Sequence, residues 1–280
     1  LWDRVLDIDD ALLWQLHQRL KRKSFRYLTE EARQRWRDVW GKARHLVASG
    51  PLLDPEVLTL GFARRFATYK RADLLLRQEE RLLEMITDER RPVQIVFAGK
   101  AHPADDAGKR ILQRIYKLSH DPRSAGRVAF VQDYEMHVAR ALFAGVDVWL
   151  NVPRVPKEAS GTSGMKAALN LVPQLGTLDG WWAEGYTGDN GWMIPAAPDP
   201  ADPDEWDWDH LFLLLENEVV PTYHDRGEDG IPRAWARIMK HALWIAGRDF
   251  TTDRMLRDYT NDYYVPAWAA SLEGDDPPDR

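Results

Sequence analysis

The chain has 280 residues, 44% of them hydrophobic, enough to bury the core of one large domain or two small ones. Its charge is mixed, with a formal net of −6 and no long basic run, so nucleic acid is not an expected partner. There is no apolar run of membrane-spanning length, no signal-peptide layout at Leu1-Trp-Asp-Arg and no cysteine for disulfides, thiol chemistry or metal ligation, so a cytoplasmic protein without membrane contact is expected.

Residues 1–50 read as helices only. Leu12, Leu13, Leu16 and Leu20 form an apolar stripe with Asp9 or Asp10 as its N-cap, and a second helical stretch covers about 29–48, with Trp36, Trp40 and Val47 scattered among Arg and Glu. Such a lead-in is expected to pack on an N-terminal domain that the chain does not contain. Asp54-Pro55 marks a turn, and Val57–Phe62 reads as a first buried strand. It runs into Ala63-Arg-Arg-Phe-Ala-Thr-Tyr-Lys-Arg71, and then into a helix carrying Leu74, Leu75, Leu82, Leu83 and Ile86. Crowding Arg64, Arg65, Lys70 and Arg71 into one strand-to-helix turn is costly unless an anion neutralises them; a solvated basic loop is the plainer alternative.

Val93–Ala98 reads as a second strand, leading through Gly99-Lys-Ala-His-Pro103 to a helix with Ile111, Ile115 and Leu118. Arg127–Val131 is a third, followed by Asp133-Tyr-Glu-Met-His137 and a helix ending near Phe143. Gly145–Asn151 is a fourth, and Gln174–Leu178, before Asp179-Gly-Trp-Trp-Ala-Glu-Gly-Tyr186, is a fifth. Strands alternating with helices through short turns imply an α/β, Rossmann-like parallel sheet flanked by helices over residues 51–265. In such sheets ligands bind beyond the C-terminal strand ends, where all the unusual loops fall. The stretch Pro195–Asp207 reads as irregular, and three helices, about 208–219, 231–246 and 252–264, close the domain. Asp225-Arg-Gly-Glu-Asp-Gly230 begins like a calcium loop, but Ala236 stands where the terminal Glu belongs, so a polar turn and no metal site is expected. The tail, 266–280, is expected to be disordered.

The most informative stretch is Glu158-Ala-Ser-Gly-Thr-Ser-Gly-Met-Lys-Ala-Ala-Leu-Asn170, between the fourth strand and a helix in which Met165, Ala168, Leu169 and Val172 share a face and which Pro173 ends. Its glycines and hydroxyl residues let backbone N–H groups approach an anion at a helix start. Lys166 is then either a phosphate contact or an amine positioned for Schiff-base chemistry. A flexible loop with a solvated lysine is the bland alternative.

Five motifs in one order resemble α-glucan (glycogen) phosphorylases, above all their shorter prokaryotic branch: Gly61–Arg71, Phe97–Pro103, Val146–Asn151, Glu158–Lys166 and Leu178–Trp182. The resemblance implies the C-terminal domain of a GT-B glycosyltransferase. It implies pyridoxal 5′-phosphate on Lys166, used through its phosphate rather than as an electron sink, and phosphorolysis of glycogen or maltodextrin to glucose 1-phosphate with retention. By position, Arg64 resembles the residue binding the cofactor phosphate, and Arg65 and Lys70 those binding the substrate phosphate. The backbone of Thr162 and Ser163 joins the phosphate cradle, Tyr134 matches an aromatic near the cofactor, and Glu158 with the Ser160–Gly161 backbone matches groups that bind glucose hydroxyls. Implied partners are an α-glucan, inorganic phosphate and the enzyme's own N-terminal domain, with room for a homodimer of the full-length enzyme.

Two positions depart from the family pattern: Leu171 stands where Gly is usual, and Glu135 where animal-type enzymes carry a basic residue. Two other readings compete, a nucleotide-sugar-dependent GT-B glycosyltransferase and a non-catalytic glucan-binding domain. Against the first, the eighth residue after Glu158 is Lys166 and not a second carboxylate.

Overall fold

Leu58–Ala63 and Val93–Ala98 are apolar on both alternating faces, the pattern of strands covered above and below, and every residue of both is buried. The computed structural model describes residues 2–40 and 53–273. Six strands, β1 (Leu58–Ala63), β2 (Val93–Ala98), β3 (Val128–Val131), β4 (Val148–Asn151), β5 (Gln174–Thr177) and β6 (Gly191–Ile194), form one all-parallel sheet in the order β3-β2-β1-β4-β5-β6. The helices are α1 (Asp10–Trp40), α2 (Glu79–Thr87), α3 (Asp106–Ser119), α4 (Met136–Gly145), α5 (Thr162–Ala168) and α6 (Trp181–Gly185), then α7 (Pro203–Leu214), α8 (Val220–His224), α9 (Arg233–Asp249), α10 (Thr252–Tyr259) and α11 (Val265–Glu273). None is long and apolar enough to cross a membrane.

Alternation along the strands divides the interior. Leu58, Leu60 and Phe62 join Val93, Ile95, Phe97, Val148 and Leu150 in the larger core, which α2, α3 and α7–α9 cover. Ala63, Val96, Ala98 and Trp149 face a second core under α1 and α4. The strand order reverses between β1 and β4, so the loops leaving their C-terminal ends diverge and open a crevice there.

The lead-in differs from its expected form. Residues 10–40 are one continuous helix, and the expected second helix has no separate start; its 41–48 portion lies outside the described residues. Leu12 and Leu16 are exposed, and the buried face is Leu13, Trp14, His17, Gln18, Lys21, Ser24, Phe25 and Leu28. This face packs on α4 and α9 within the domain. Gly145 permits the approach, since a Cβ there would lie 2.5 Å from Ser24 Cβ. Hydrophobic pattern missed this face because two of its members are ionisable.

Those two residues meet Asp147, just before β4. Lys21 Nζ donates to Asp147 Oδ2 at 2.5 Å, the Thr59 amide donates to the same oxygen at 2.7 Å, and His17 Nε2 lies 2.8 Å from Oδ1. Burial draws both ionic partners toward their neutral forms and lowers the Lys21 amine below an ordinary lysine. For Asp147 the Lys21 charge and the His17 contact outweigh burial and hold the carboxyl below its usual range. With donors on both carboxylate oxygens, the ionised pair is the state the geometry favours.

Other segments also depart from expectation. β6 lies outside the expected strands: Gly191-Trp-Met-Ile194 is as long as β3, β4 and β5, but it is wedged between the polar turn Thr187–Asn190 and Pro195 and no helix-strand alternation points to it. The stretch expected to be irregular to Asp207 turns helical at Pro203, where Asp202 Oδ1 accepts from the Asp204 amide at 2.7 Å. The sheet-side helix after Glu158 is shorter than expected: α5 stops at Ala168, Leu169 is exposed, and Leu171 takes a left-handed backbone at φ 66°. The helix Val265–Glu273 takes in residues 266–273 of the tail expected to be disordered, and 274–280 lie outside the described residues.

Asp147→Ala would leave the Lys21 ammonium buried without its counter-charge, and urea unfolding is expected to show a loss of about 3–5 kcal/mol. Because the folded Asp147 pKa is depressed, its stabilisation is complete above the unfolded carboxyl range of about pH 4 and fades as pH falls through the folded value. Asp147→Asn is therefore expected to flatten the acid limb of the stability profile.

Candidate functional site

The crevice at the strand reversal is built by β1, β4 and the loops that follow them. After Ala63 the chain stays pinned alongside the end of β2, with the Arg64 amide bonded to Ala98 O at 3.1 Å and the Phe66 amide to Lys100 O at 3.0 Å. Extended backbone sends consecutive side chains to opposite sides. Arg64 therefore enters the protein, 7% exposed, while Arg65 is exposed and makes no ion pair among the described residues. A short 3-10 turn, Thr68–Lys70, then brings Lys70 back into the crevice.

Three charged groups converge on one atom. Arg64 Nη2 donates to Glu158 Oε2 at 2.5 Å and Lys70 Nζ donates to the same oxygen at 2.9 Å. Arg64 Nη1 also donates to Asn151 Oδ1, at the last residue of β4. Burial alone would raise the Glu158 carboxyl, but the Arg64 charge and the Lys70 hydrogen bond outweigh it and hold it below its ordinary value. Two cations against one carboxylate leave a net positive charge in a half-enclosed place, the electrostatic condition for binding an anion. Tyr134 stands within the field of Arg64, its phenol pushed up by burial and drawn partly back by that charge.

Glu158 is held by its main chain as well. Its amide donates to Asp179 Oδ2 at 2.8 Å, and Asp179 Oδ1 accepts from the Gly180 amide at 3.0 Å. The Trp181 amide donates to Ser160 O at 2.7 Å. Gly180, at φ 56°, makes this contact feasible, since a Cβ there would lie 2.6 Å from Ser160 O. Gly161, at φ 77°, then turns the chain into α5 within 3.5 Å of both Asn151 Nδ2 and the Glu158 side chain, measured from where its Cβ would be. Gly164 rests on the hydrogen bond from Trp181 Nε1 to Gln174 Oε1, 3.0 Å long, with a would-be Cβ only 1.9 Å from Gln174 Oε1.

Of the residues singled out from sequence, Arg64, Lys70, Glu158 and Gly161 lie together, with Tyr134 in range. Ser163 faces β4, its hydroxyl accepting from Trp149 Nε1 at 3.3 Å. Thr162 and Lys166 are exposed on α5, and the Lys166 amine makes no hydrogen bond or ion pair among the described residues. The Ser160 side chain is exposed, and its carbonyl is committed to Trp181. Glu135 is exposed before α4 and caps nothing with its side chain. Sequence reading passed over Asn151 and Asp179. Both are buried polar residues, Asn151 the last of β4 and Asp179 two residues beyond β5, and that placement at the C-terminal strand edge is the signal that could have found them.

An open α/β domain with a net-cationic cluster at its strand reversal meets the electrostatic condition for holding an anion. The chain matches the family model for carbohydrate phosphorylases over residues 9–184, a span that holds every residue of this cluster, and it belongs to that family. It is similar to a glycogen phosphorylase of Aquifex aeolicus (strain VF5), 47% identical over 264 residues, covering 94% of this chain and 38% of that protein. A glycogen phosphorylase of Mycobacterium tuberculosis (strain H37Rv) is 42% identical over 270 residues, covering 95% of this chain and 31% of that protein. A maltodextrin phosphorylase of Thermococcus litoralis is 43% identical over 276 residues, covering 97% and 32%. The chain thus spans about a third of the length of these curated relatives.

Gly164→Ala tests how tightly α5 is seated. Its methyl group must displace Gln174 or Trp181, and the change is expected to cost about 1–3 kcal/mol in unfolding free energy, with altered tryptophan fluorescence. An unchanged unfolding midpoint would mean that α5 shifts freely.

Proposed function

We propose that this chain is the phosphate- and cofactor-binding part of an α-1,4-glucan phosphorylase, which cleaves glycogen or maltodextrin with inorganic phosphate to give glucose 1-phosphate with retained configuration. The observation that carries the reading is the convergence of Arg64 and Lys70 on one Glu158 oxygen beside the turn that opens α5. The relatives' names support the glucan and the phosphorolytic reaction.

The cofactor proposed is pyridoxal 5′-phosphate, and the residues present fit it. Among the described residues, Lys166 offers an amine without a competing partner, the first-turn amides of Thr162 and Ser163 are left over by helix geometry, and Arg64 Nε and Asn151 Nδ2 are buried donors with no acceptor. When bound, the cofactor supplies a second phosphate group that passes a proton to the substrate phosphate. The chain's own residues make that arrangement tolerable. Arg64 would neutralise the cofactor phosphate, and Arg65 and Lys70 the substrate phosphate, so that two like-charged groups can approach. Glu158, freed from its cations by those anions, would accept hydrogen bonds from glucose hydroxyls, with the Ser160–Gly161 backbone beside it. Asp179 fixes Glu158 through its main chain, so the carboxylate can change partners without the loop moving. Excluding water falls to the N-terminal part of the enzyme, whose loops would close the crevice and contact the glucan.

Borohydride reduction of the chain loaded with pyridoxal 5′-phosphate, followed by peptide mapping, is expected to tag Lys166. A tag on Lys70 or Lys100 would refute the cofactor assignment. Glucose 1-phosphate release from maltodextrin is expected to need an added N-terminal part, because a half-crevice leaves Arg65 exposed and the substrate phosphate open to water. Full activity of the 280-residue chain alone would overturn the shared-crevice account.

A further inference from the structure

A second concentration of positive charge lies behind the first. Arg71, Arg77, Arg110, Arg114 and Arg154 line a cavity of about 410 Å³ between α3 and the 3-10 turn Leu74–Gln78, with Asp73 on its wall. Lys70 and Arg71 are neighbours in sequence but serve opposite sides. Lys70 reaches Glu158, whereas Arg71, at φ 50°, points its guanidinium to Asp204 at 3.0 Å and Asp207 at 2.6 Å. The cavity therefore stands back to back with the candidate catalytic crevice across the Thr68–Arg71 turn and shares no charged group with it.

The arginines differ in how far they are spent. Arg71 is committed, since it also donates to Val152 O at 2.8 Å and Pro153 O at 3.0 Å, and it forms the floor. Asp204 is shared among Arg71, Arg77 and Arg154. Hydrogen bonding to Arg154 and then Arg71 keeps its carboxyl at about 2, so it is a full charge, but one charge divided three ways. Arg77 keeps a single contact, at 3.2 Å. Arg114 has Asp73 at 3.0 Å and a long contact to Leu76 O at 3.4 Å. Arg110 is exposed and makes no hydrogen bond or ion pair among the described residues. Five guanidinium groups thus stand against Asp73, Asp204 and Asp207, an excess of two positive charges in a chain whose net charge is −6. Arg110 and Arg114 are one helical turn apart on α3, an unfavourable spacing for like charges that Asp73, bonded to Arg114 and not to Arg110, offsets only in part.

We infer that this cavity binds a small phosphate monoester, with Arg77, Arg110 and Arg114 supplying the phosphate contacts. A monoester carries close to two negative charges at neutral pH and three acceptor oxygens, which the planar forks of arginine match better than any neutral ligand could. The space exceeds what a phosphate group fills and lies in the range of small-metabolite pockets, and Leu74, Ala107 and Ile111 give it an apolar wall for the rest of the ester. The inference does not depend on the phosphorolytic reading, since none of these residues belongs to the proposed catalytic set.

The test is calorimetric titration of the 280-residue chain with glycerol 3-phosphate, with inorganic phosphate and with glycerol as a neutral control. An Arg65→Ala/Lys70→Ala background removes the cations proposed for the substrate phosphate in the crevice. In that background glycerol 3-phosphate is expected to bind at one equivalent, more tightly than inorganic phosphate, and glycerol not at all. Adding Arg110→Glu is expected to weaken binding at least tenfold without moving the melting temperature of the probe-free protein, because Arg110 holds nothing else; Arg110→Lys should fall between. In the otherwise unaltered chain, Arg110→Glu alone should remove one equivalent of glycerol 3-phosphate. Loss of all binding in the double variant, indifference to Arg110→Glu in either background, or equal affinity for inorganic phosphate would each overturn the assignment.

Discussion

A guanidinium buried at the end of a strand needs an anion, and Arg64 sets that requirement for the C-terminal edge of the sheet. Its charge is 7% exposed, and a buried charge without a partner costs several kcal/mol, on the order of 3–5 when a partner is removed. Asn151 and Glu158 meet it from the far side of the strand reversal, so β4 and the loop after it must lie where they do. Lys70 then adds a second cation to the same carboxylate oxygen, which makes Glu158 a shared and contested partner. Such a carboxylate can exchange its cations for a ligand's hydroxyls when another anion takes its place. A site of this kind is poised for anions because its internal compensation is incomplete.

At the opposite edge of the sheet the buried charge is matched within the protein. Asp147 lies at the entry to β4, and both its oxygens are occupied by groups from α1 and from the backbone of β1. One buried cluster therefore fixes the helix to the sheet where no ligand is needed. The other leaves charge unspent at the ligand edge. The same strand, β4, carries a constraint at each end: Asp147 before it and Asn151 at its close. Rigidity at one end makes the geometry at the other reproducible, as a preorganised site requires.

Much of this was legible in the sequence, for identifiable reasons. β1 to β5 could be read because each strand stands between helical segments in a regular alternation, while β6, no shorter than β3 to β5, is wedged between a polar turn and Pro195. Arg64, Lys70 and Glu158 stood out because crowded charge is costly and demands an explanation. Asn151 and Asp179 did not, since a single polar residue inside an apolar motif looks like noise until its partners are seen. The buried face of α1 was misread for a related cause. His17, Lys21 and Ser24 belong to it, and a hydrophobic pattern assigns such residues to solvent. Leu171 shows a further limit. Its left-handed backbone is a conformation that favours glycine, the family's usual residue there, and here a leucine accepts it because its side chain is buried in the larger core.

The central claim is that the cationic cluster at the strand reversal, and not the Lys166 amine alone, selects a phosphate-bearing cofactor. Titrating the chain with pyridoxal 5′-phosphate and with phosphate-free pyridoxal, followed by near-ultraviolet absorbance, separates the two contributions. The account predicts that the phosphate ester binds at least a hundredfold more tightly, roughly 2.7 kcal/mol, and that Arg64→Met removes most of that difference. Equal affinity for the two compounds, or a preference for the ester that survives Arg64→Met, would contradict it.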